Sequence, residues 1–507
     1  MNAELLLEHF DRIAEAPEAI PRLRRFVLDL AVRGKLIEME SENRAFTVEN
    51  HQEGMFPIPA HWKAQRLGTL ISLEYGKAIS KNERGFGTVP VYGSNGIVGR
   101  CETALAVEPA IIVGRKGSAG LLNLADGPSW TSDVAYYVVP PPYYDIRFLY
   151  LMLSAMDLPR LAKGIKPGLN RNEVYDLVGV LPPLSEQHRI VAKVNELMAV
   201  CDELEARQQA REAQRDRLVR AVSRGLVDAI DDAEPMADRA QFYLGHFSEL
   251  TVRRAHVNQL RQTILDLAVR GKLVEQDPED EPARVSVREV VGGGLECDDR
   301  LLPFRLPRGW SIVRMSSIAS KLGAGSTPKG GKAIYQNEGV PFIRSQNVYN
   351  DGLRLCEVAR ISESIHQKML GTHVEKNDIL LNITGASIGR CALVPQELGE
   401  ANVSQHVAII RLIDVRLREF IHLALTAPFY QAMIMNVQVG VSREGLSMKR
   451  LREFPMVIPP FAEQHRIVAK VNELMAMCDE LEQELEVQTN TAKHLLESVL
   501  DQVLAAG

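Results

Sequence analysis

Five groups of residues in this chain have types that could do chemistry, and four of them lack the spacing or the partners that the chemistry needs. The six cysteines (Cys101, Cys201, Cys297, Cys356, Cys391, Cys478) form no CxxC pair, and none stands near a histidine at zinc-finger spacing. Neither a disulfide framework nor a structural zinc site is indicated, and free thiols are expected. GRKGSAG (114–120) lacks GxGxxG spacing and GSTPKGGKA (325–333) lacks the GK[ST] ending of a phosphate-binding loop, so both read as turns. PPPYYD (140–145) and IPPF (458–461) resemble the core of amino-methyltransferases, in which a preceding Asn, Asp or Ser accepts a hydrogen bond from the target amine. Pro140 and Ile458 stand in that place and offer no side-chain acceptor. His188 and His465 sit in EQHR at helix starts without an acid two turns away, which predicts solvated or helix-packing rings. No catalytic or metal-binding constellation emerges.

The fifth group suits nucleic acid. Arg160, Lys163, Lys166 and Arg171 precede one double proline, and Arg443, Lys449, Arg450 and Arg452 precede another. A basic surface helix is ordinarily only a solvated face, but recurrence at equivalent places favours phosphate contacts. Nearby loops carry Arg115, Lys116 and Ser118 in the first half and Lys329, Arg344, Gln346, Asn347, Asn382, Thr384 and Arg390 in the second. Arginine suits guanine, and asparagine or glutamine suits adenine, because each offers two hydrogen-bonding groups in one plane.

What must position these residues is a duplicated frame. LDLAVRGKL at 28–36 returns letter for letter at 265–273, an offset of 237, and Leu7, His9, Phe10, Leu23 and Arg24 match Leu244, His246, Phe247, Leu260 and Arg261. EQHRIVAKVNELMA at 186–199 recurs at 463–476, an offset of 277, and CDELE follows both copies. The second insert is therefore about 40 residues longer. Apolar residues at Ile190, Val194, Leu197, Cys201 and Leu204, and at Ile467, Val471, Leu474, Cys478, Leu481 and Leu485, keep the four-three spacing of a coiled-coil seam. The first seam turns polar at Gln208, Arg211 and Arg215 and is expected to resume at Leu218 and Val222. Helices of about 40 residues would be about 60 Å long. Segments ending at Gly34 and Gly271 read as their shorter partners.

The inserts hold short β-rich runs (110–113, 134–139, 378–383, 407–412) among Gly, Pro, Asn and Ser clusters. Each opens near a tryptophan (Trp62, Trp310) and closes on a double proline before a long helix, which predicts a fixed entry angle. With 46% hydrophobic and 24% charged residues, the 507-residue chain is globular and long enough for several domains. A net charge of -6 argues against indiscriminate coating of nucleic acid. An acidic start and the lack of an 18-residue apolar run predict a cytoplasmic protein with no membrane partner.

These repeats, the Trp-led inserts and the run DILLNITGASIGRCAL (378–393) resemble the specificity subunit of type I restriction-modification enzymes over nearly the whole chain. The resemblance implies an α+β fold with internal duplication and quasi-twofold symmetry. Two mixed α/β target recognition domains (45–184 and 300–460) would be separated by long antiparallel coiled-coil helices. The remaining parts would be an N-terminal helical segment (1–44), a helical spacer (185–275), a linker (276–299) and a C-terminal helix (461–507). It further implies recognition of a bipartite, asymmetric site in double-stranded DNA, no catalysis by this chain, and docking of two methyltransferase subunits. Those subunits would bind S-adenosylmethionine and methylate adenine, while separate restriction subunits translocate and cut. Base-contacting residues vary within the family and do not transfer by motif. Three other readings stand beside this one: a fused enzyme with a drifted motif, a coiled-coil scaffold without a nucleic-acid role, and a specificity subunit of a modification-only or other phage-defence system.

Overall fold

The computed structural model describes residues 18–38, 46–47, 56–164, 166–228, 251–291, 302–436 and 445–505. Leu7, His9, Phe10, Leu244, His246, Phe247, Cys297, Arg443 and the boundaries at 44/45 and 299/300 lie outside them. The chain forms two units, residues 1–212 with 487–507, and residues 213–486. Each holds one globular domain, one short helix, the start of one 45-residue helix and the end of the other (Leu184–Asp228 and Phe461–Ala505).

In the first unit the short helix Ala19–Val32 buries Ile20, Leu23, Phe26, Val27 and Leu30, the stripe expected of an amphipathic helix. Ile20 and Leu23 share a cluster with Cys201, Leu204 and Leu500, whereas Phe26 and Leu30 share one with Ile190 and Val194. Arg24 pairs with Asp202 at 2.5 Å and Glu205 at 2.8 Å, and Arg189 donates to Glu38 O at 2.7 Å. The short helix therefore runs antiparallel to the first part of the long one. The second unit repeats the device. Arg261 of helix Arg254–Val269 pairs with Asp479 at 2.5 Å and Glu482 at 2.7 Å, while Arg466 pairs with Asp280 at 2.6 Å. Seam residues Ile467, Val471, Leu474 and Cys478 are buried, with Leu481 and Leu485 packed alongside. Cys201 and Cys478 are buried small residues, and burial pushes the Cys478 thiol up to about 11.

The first seam resumes one residue later than its spacing suggests. Leu218 is 48% exposed, while Val219 and Leu226 are buried and Val222 is half-buried. The polar stretch interrupts the four-three count, and packing against the second unit's core sets the register anew. A second correction concerns 276–299, read as linker: Ala283–Val291 form a helix whose Ala283 and Val287 join the second core.

Both short helices end in a Schellman motif. Lys35 N–H donates to Leu30 O at 3.0 Å and Gly34 N–H to Ala31 O at 3.3 Å; Lys272 donates to Leu267 O and Gly271 to Ala268 O at 2.9 and 3.3 Å. Gly34 and Gly271 have φ of 70° and 66°, and a Cβ on either would come within 2.5 Å of Pro59 or Pro307. The chain then reaches the domain's tryptophan. Trp62 Nε1 donates to Glu186 at 2.8 Å and Trp310 Nε1 to Glu463 at 3.0 Å, which fastens each domain to the first turn of its long helix. Gln187 and Gln464 donate to the carbonyls of Pro182 and Pro459, so both double prolines are held at the helix start.

The domains share one topology. In the first, strands Glu74–Tyr75, Ala135–Val138, Ala110–Gly114 and Leu122–Ala125 form an antiparallel sheet in that order. In the second, Ala319–Ala324, Val407–Leu412, Ile379–Asn382 and Cys391–Leu393 do the same. Each has a further sheet containing a parallel pair, Val89–Gly93 with Trp130–Thr131 and Val340–Ile343 with Ala401–Val403. The second domain adds the hairpin Val348–Tyr349/Gly352–Leu353, helix Glu363–Lys368 and strand His373–Val374.

Candidate nucleic-acid interface

In the first domain two loops and a helix bring the sequence candidates onto one rim. The turn GRKGSAG leaves strand Ala110–Gly114, and Gly117 and Gly120 supply φ values of 80° and 84° that favour glycine. Gly117 N–H donates to Pro167 O at 3.0 Å and Leu169 N–H to Arg115 O at 2.9 Å, which ties this turn to the segment 166–169. Lys116 and Lys166 are exposed there. Lys163 is exposed but pairs with Glu173 at 2.8 Å, so much of its charge is already answered. Ser118 is half-buried in the turn.

Arg171 opens the helix Arg171–Tyr175, whose N-terminus is capped by Asn170. Its guanidinium carbon lies 4.9 Å from the Tyr75 ring centroid, and that of Arg115 lies 5.0 Å from the same ring. Arg171 also donates to Leu73 O and Arg115 to Asp133 O. Cation–π contact and these bonds hold two guanidinium planes beside a phenol ring that is 45% exposed.

The second domain repeats the backbone bonding. Gly114 N–H donates to Leu121 O and Gly120 N–H to Gly114 O, each at 2.8 Å; Asn382 N–H donates to Arg390 O and Gly389 N–H to Asn382 O, each at 2.8 Å. Leu446 N–H donates to Ile383 O as Leu169 does to Arg115 O, and Thr384 bridges Gly445 as Lys116 bridges Gly168. Ser447 caps the helix Met448–Arg452 as Asn170 caps its counterpart. Gly76 and Gly325 occupy matching places, where a Cβ would meet the carbonyls of Ser132 or Ser404 at 2.1 and 2.3 Å. By these bonds Lys116 corresponds to Thr384, Arg115 to Ile383 and Leu121 to Arg390.

The side chains on this shared scaffold differ. Arg390 and Arg354 lie over Tyr349 at 4.5 and 5.1 Å, and Arg344 over Tyr335 at 5.6 Å. Thr384 Oγ1 is 2.5 Å from His406 Nδ1. Lys329, Gln346, Lys449 and Arg450 are exposed, and Arg452 donates to Leu322 O. Two candidates are withdrawn as base readers. Asn382 is buried and donates to Ser345 O at 2.8 Å; Asn347 is buried, accepts from Arg344 N–H and donates to Arg354 O. Both amides brace loops. Asp378, which opens the run DILLNITG, is likewise buried and structural, chelated by Arg411 at 2.8 and 2.9 Å.

Sequence reasoning missed Tyr75, Tyr335, Tyr349, Gln405 and His406. The aromatic residues become visible only when strands distant in sequence bring them against arginines. Gln405 and His406 follow the strand Ala401–Val403, and the correspondence of Ser404 with Ser132 is structural.

Two domains of one topology, bonded alike and faced with different side chains, define a duplicated protein with two unlike surfaces. The model of the type I restriction modification DNA specificity domain matches residues 59–214 and 307–490, and the chain belongs to that family. It is 27% identical over 354 residues to the type I restriction enzyme EcoEI specificity subunit of Escherichia coli, which covers 64% of this chain and 58% of the relative. The EcoAI specificity subunit of Escherichia coli is 26% identical over 341 residues, 63% of this chain and 57% of that one. The chain thus spans a little under three fifths of the length of these two relatives. A chain from a solved structure on complex assembly and conformational transition of the type I R-M system shares the fold, with a TM-score of 0.53 and 17% identity over 89% of this chain and 99% of that one.

Proposed function

We propose that this chain is the DNA-reading subunit of a type I restriction-modification complex and recognises a bipartite, asymmetric duplex site. The observation that carries the reading is the matched loop scaffold. Matched backbone bonds present Arg115 and Lys116, beside Arg171, in one domain and Thr384 and Arg390 in the other, where the added hairpin sets Tyr349 under Arg390. Unlike side chains on like scaffolds suit two different half-sites, since base edges are told apart by donor and acceptor pattern. Exposed Lys116, Lys166 and Lys449 supply phosphate contacts that set affinity and register.

The chain itself does no chemistry in this reading. Two methyltransferase subunits dock on it, carry S-adenosylmethionine and extract the target adenine from the stack. Restriction subunits join through them. Mapping methylated adenines in a host that expresses the chain with its cognate methyltransferase tests the proposal. A single split motif with unlike halves is expected; a continuous or palindromic motif, or no new methylation, would overturn it.

A further inference from the structure

Where the helix added to the second domain meets the shared strand Ala401–Val403 lies a group of side chains without counterpart among the described residues of the first domain. Glu363 and His366 lie one turn apart on the helix Glu363–Lys368, and Glu400 precedes the strand Ala401–Val403. One candidate ligand atom from each lies within 4.8 Å of the other two. His366 is 1% exposed, and its ring stacks on His373 with centroids 3.8 Å apart and planes 3° from parallel.

The hydrogen-bond network places a proton on Nδ1 of this ring. Thr372 Oγ1 donates to Met369 O at 3.0 Å, so its oxygen is free to accept, and Asn402 Nδ2 donates to it at 3.0 Å. That orients the Asn402 amide with Oδ1 toward His366, whose Nδ1 lies 2.5 Å away and must be the donor. Nε2 is then the nitrogen left to take a ligand, and it faces Glu400 Oε2 at 3.5 Å. His373 Nε2 is engaged elsewhere, donating to His366 O at 2.8 Å. His366 Nε2 thus stands beside two carboxylates.

We propose that Glu363, His366 and Glu400 bind a divalent metal ion, with Zn2+ the best match. One imidazole nitrogen and two carboxylates are ligands that zinc accepts, leaving one tetrahedral position for water. Tetrahedral bonds of about 2.1 Å set neighbouring ligand atoms roughly 3.4 Å apart, close to the 3.5 Å between Nε2 and Oε2. A ligating histidine whose other nitrogen donates to a fixed outer partner is the usual way such a ring is held; here Asn402 is that partner. The ion fastens the added helix to the strand whose end carries Gln405 and His406, and so braces the second domain's loop edge.

Calorimetric titration of the chelator-stripped full chain with Zn2+ tests this, with Co2+ absorption in the visible as a second readout. Glu363→Gln and Glu400→Gln are the variants of choice, since both side chains are exposed and their loss leaves the core intact. Because losing even an outer-shell partner lowers metal affinity about 10–100-fold, each single variant should weaken one Zn2+ equivalent by roughly tenfold or more. The double variant should lose that equivalent while melting like the parent in chelator. A parent that binds no Zn2+, or a double variant that binds as many equivalents as tightly, would overturn the proposal; the group would then be an ion pair carrying a proton on Nε2.

Discussion

Replacing Lys116 and Lys166 together with Ala should weaken duplex binding on every sequence and flatten its salt dependence. Their loops are bonded to one another through Gly117, Pro167, Arg115 and Leu169, so the two exposed amines form a single patch. Each lysine–phosphate contact contributes about 0.9 to the slope of log affinity against log salt, and losing two lowers the slope by about 1.8. Over a fourfold rise in salt, from about 50 to 200 mM, the parent should therefore lose roughly twelvefold more affinity than the variant. Lys163 is the internal control. Its amine is already paired with Glu173, so Lys163→Ala should change the slope by clearly less than one full contact. The assay is fluorescence anisotropy of a labelled duplex with the full chain, stepped through that salt range on matched and scrambled sequences. An unchanged slope in the double variant, or equal flattening by Lys163→Ala and Lys166→Ala, would refute the placement of the phosphate patch.

Glycine substitutions separate backbone need from open space. Gly271→Ala puts a β-carbon on a left-handed residue within 2.5 Å of Pro307 and should cost roughly 2–5 kcal/mol, whereas Gly225→Ala, with nothing within 4 Å, should stabilise its helix by about 0.5–1 kcal/mol; melting curves of both variants decide. Burial pushes the Glu463 carboxyl above its ordinary value, against the pull of the indole N–H of Trp310 and of Gln276. A raised folded value means that the native state holds this proton more tightly than the unfolded chain. Its contribution is thus present below the ordinary glutamate range and lost as pH rises through the elevated value. Denaturation midpoints of the parent should fall relative to Glu463→Gln across that window, and parallel profiles would contradict the burial. Asp216 behaves oppositely. Hydrogen bonds from His256 and Arg253 hold it below the usual range, so Asp216→Asn should cost stability above the ordinary aspartate value and progressively less as pH falls through the depressed one.

The frame was legible because its causes are local and periodic. Four-three spacing marks Ile190 to Leu204 and Ile467 to Leu485, and a glycine after Arg33 or Arg270 marks where each short helix must stop. The register after Arg215 was not, since Val219 rather than Leu218 is buried by neighbours that no local pattern encodes. On the loops, residue type identified arginines and lysines that do face outward, but type alone does not reveal burial. Asn347 and Asn382 have the chemistry of adenine readers, yet the fold turns them inward to satisfy backbone groups that would otherwise be buried without partners. The shared scaffold was illegible for a related reason. It consists of backbone hydrogen bonds, which leave almost no imprint on side-chain identity beyond glycines such as Gly76 and Gly325.

Exchange of the second globular domain, 302–458, for that of a family member with a different target tests the central claim most directly. The readout is selection of bound duplexes from a random pool by the full-length parent and the chimera. One half of the selected motif should change while the other half stays the same. A motif altered in both halves by a folded chimera, or a parent that selects no sequence at all, would contradict two independent DNA-reading domains on a common scaffold.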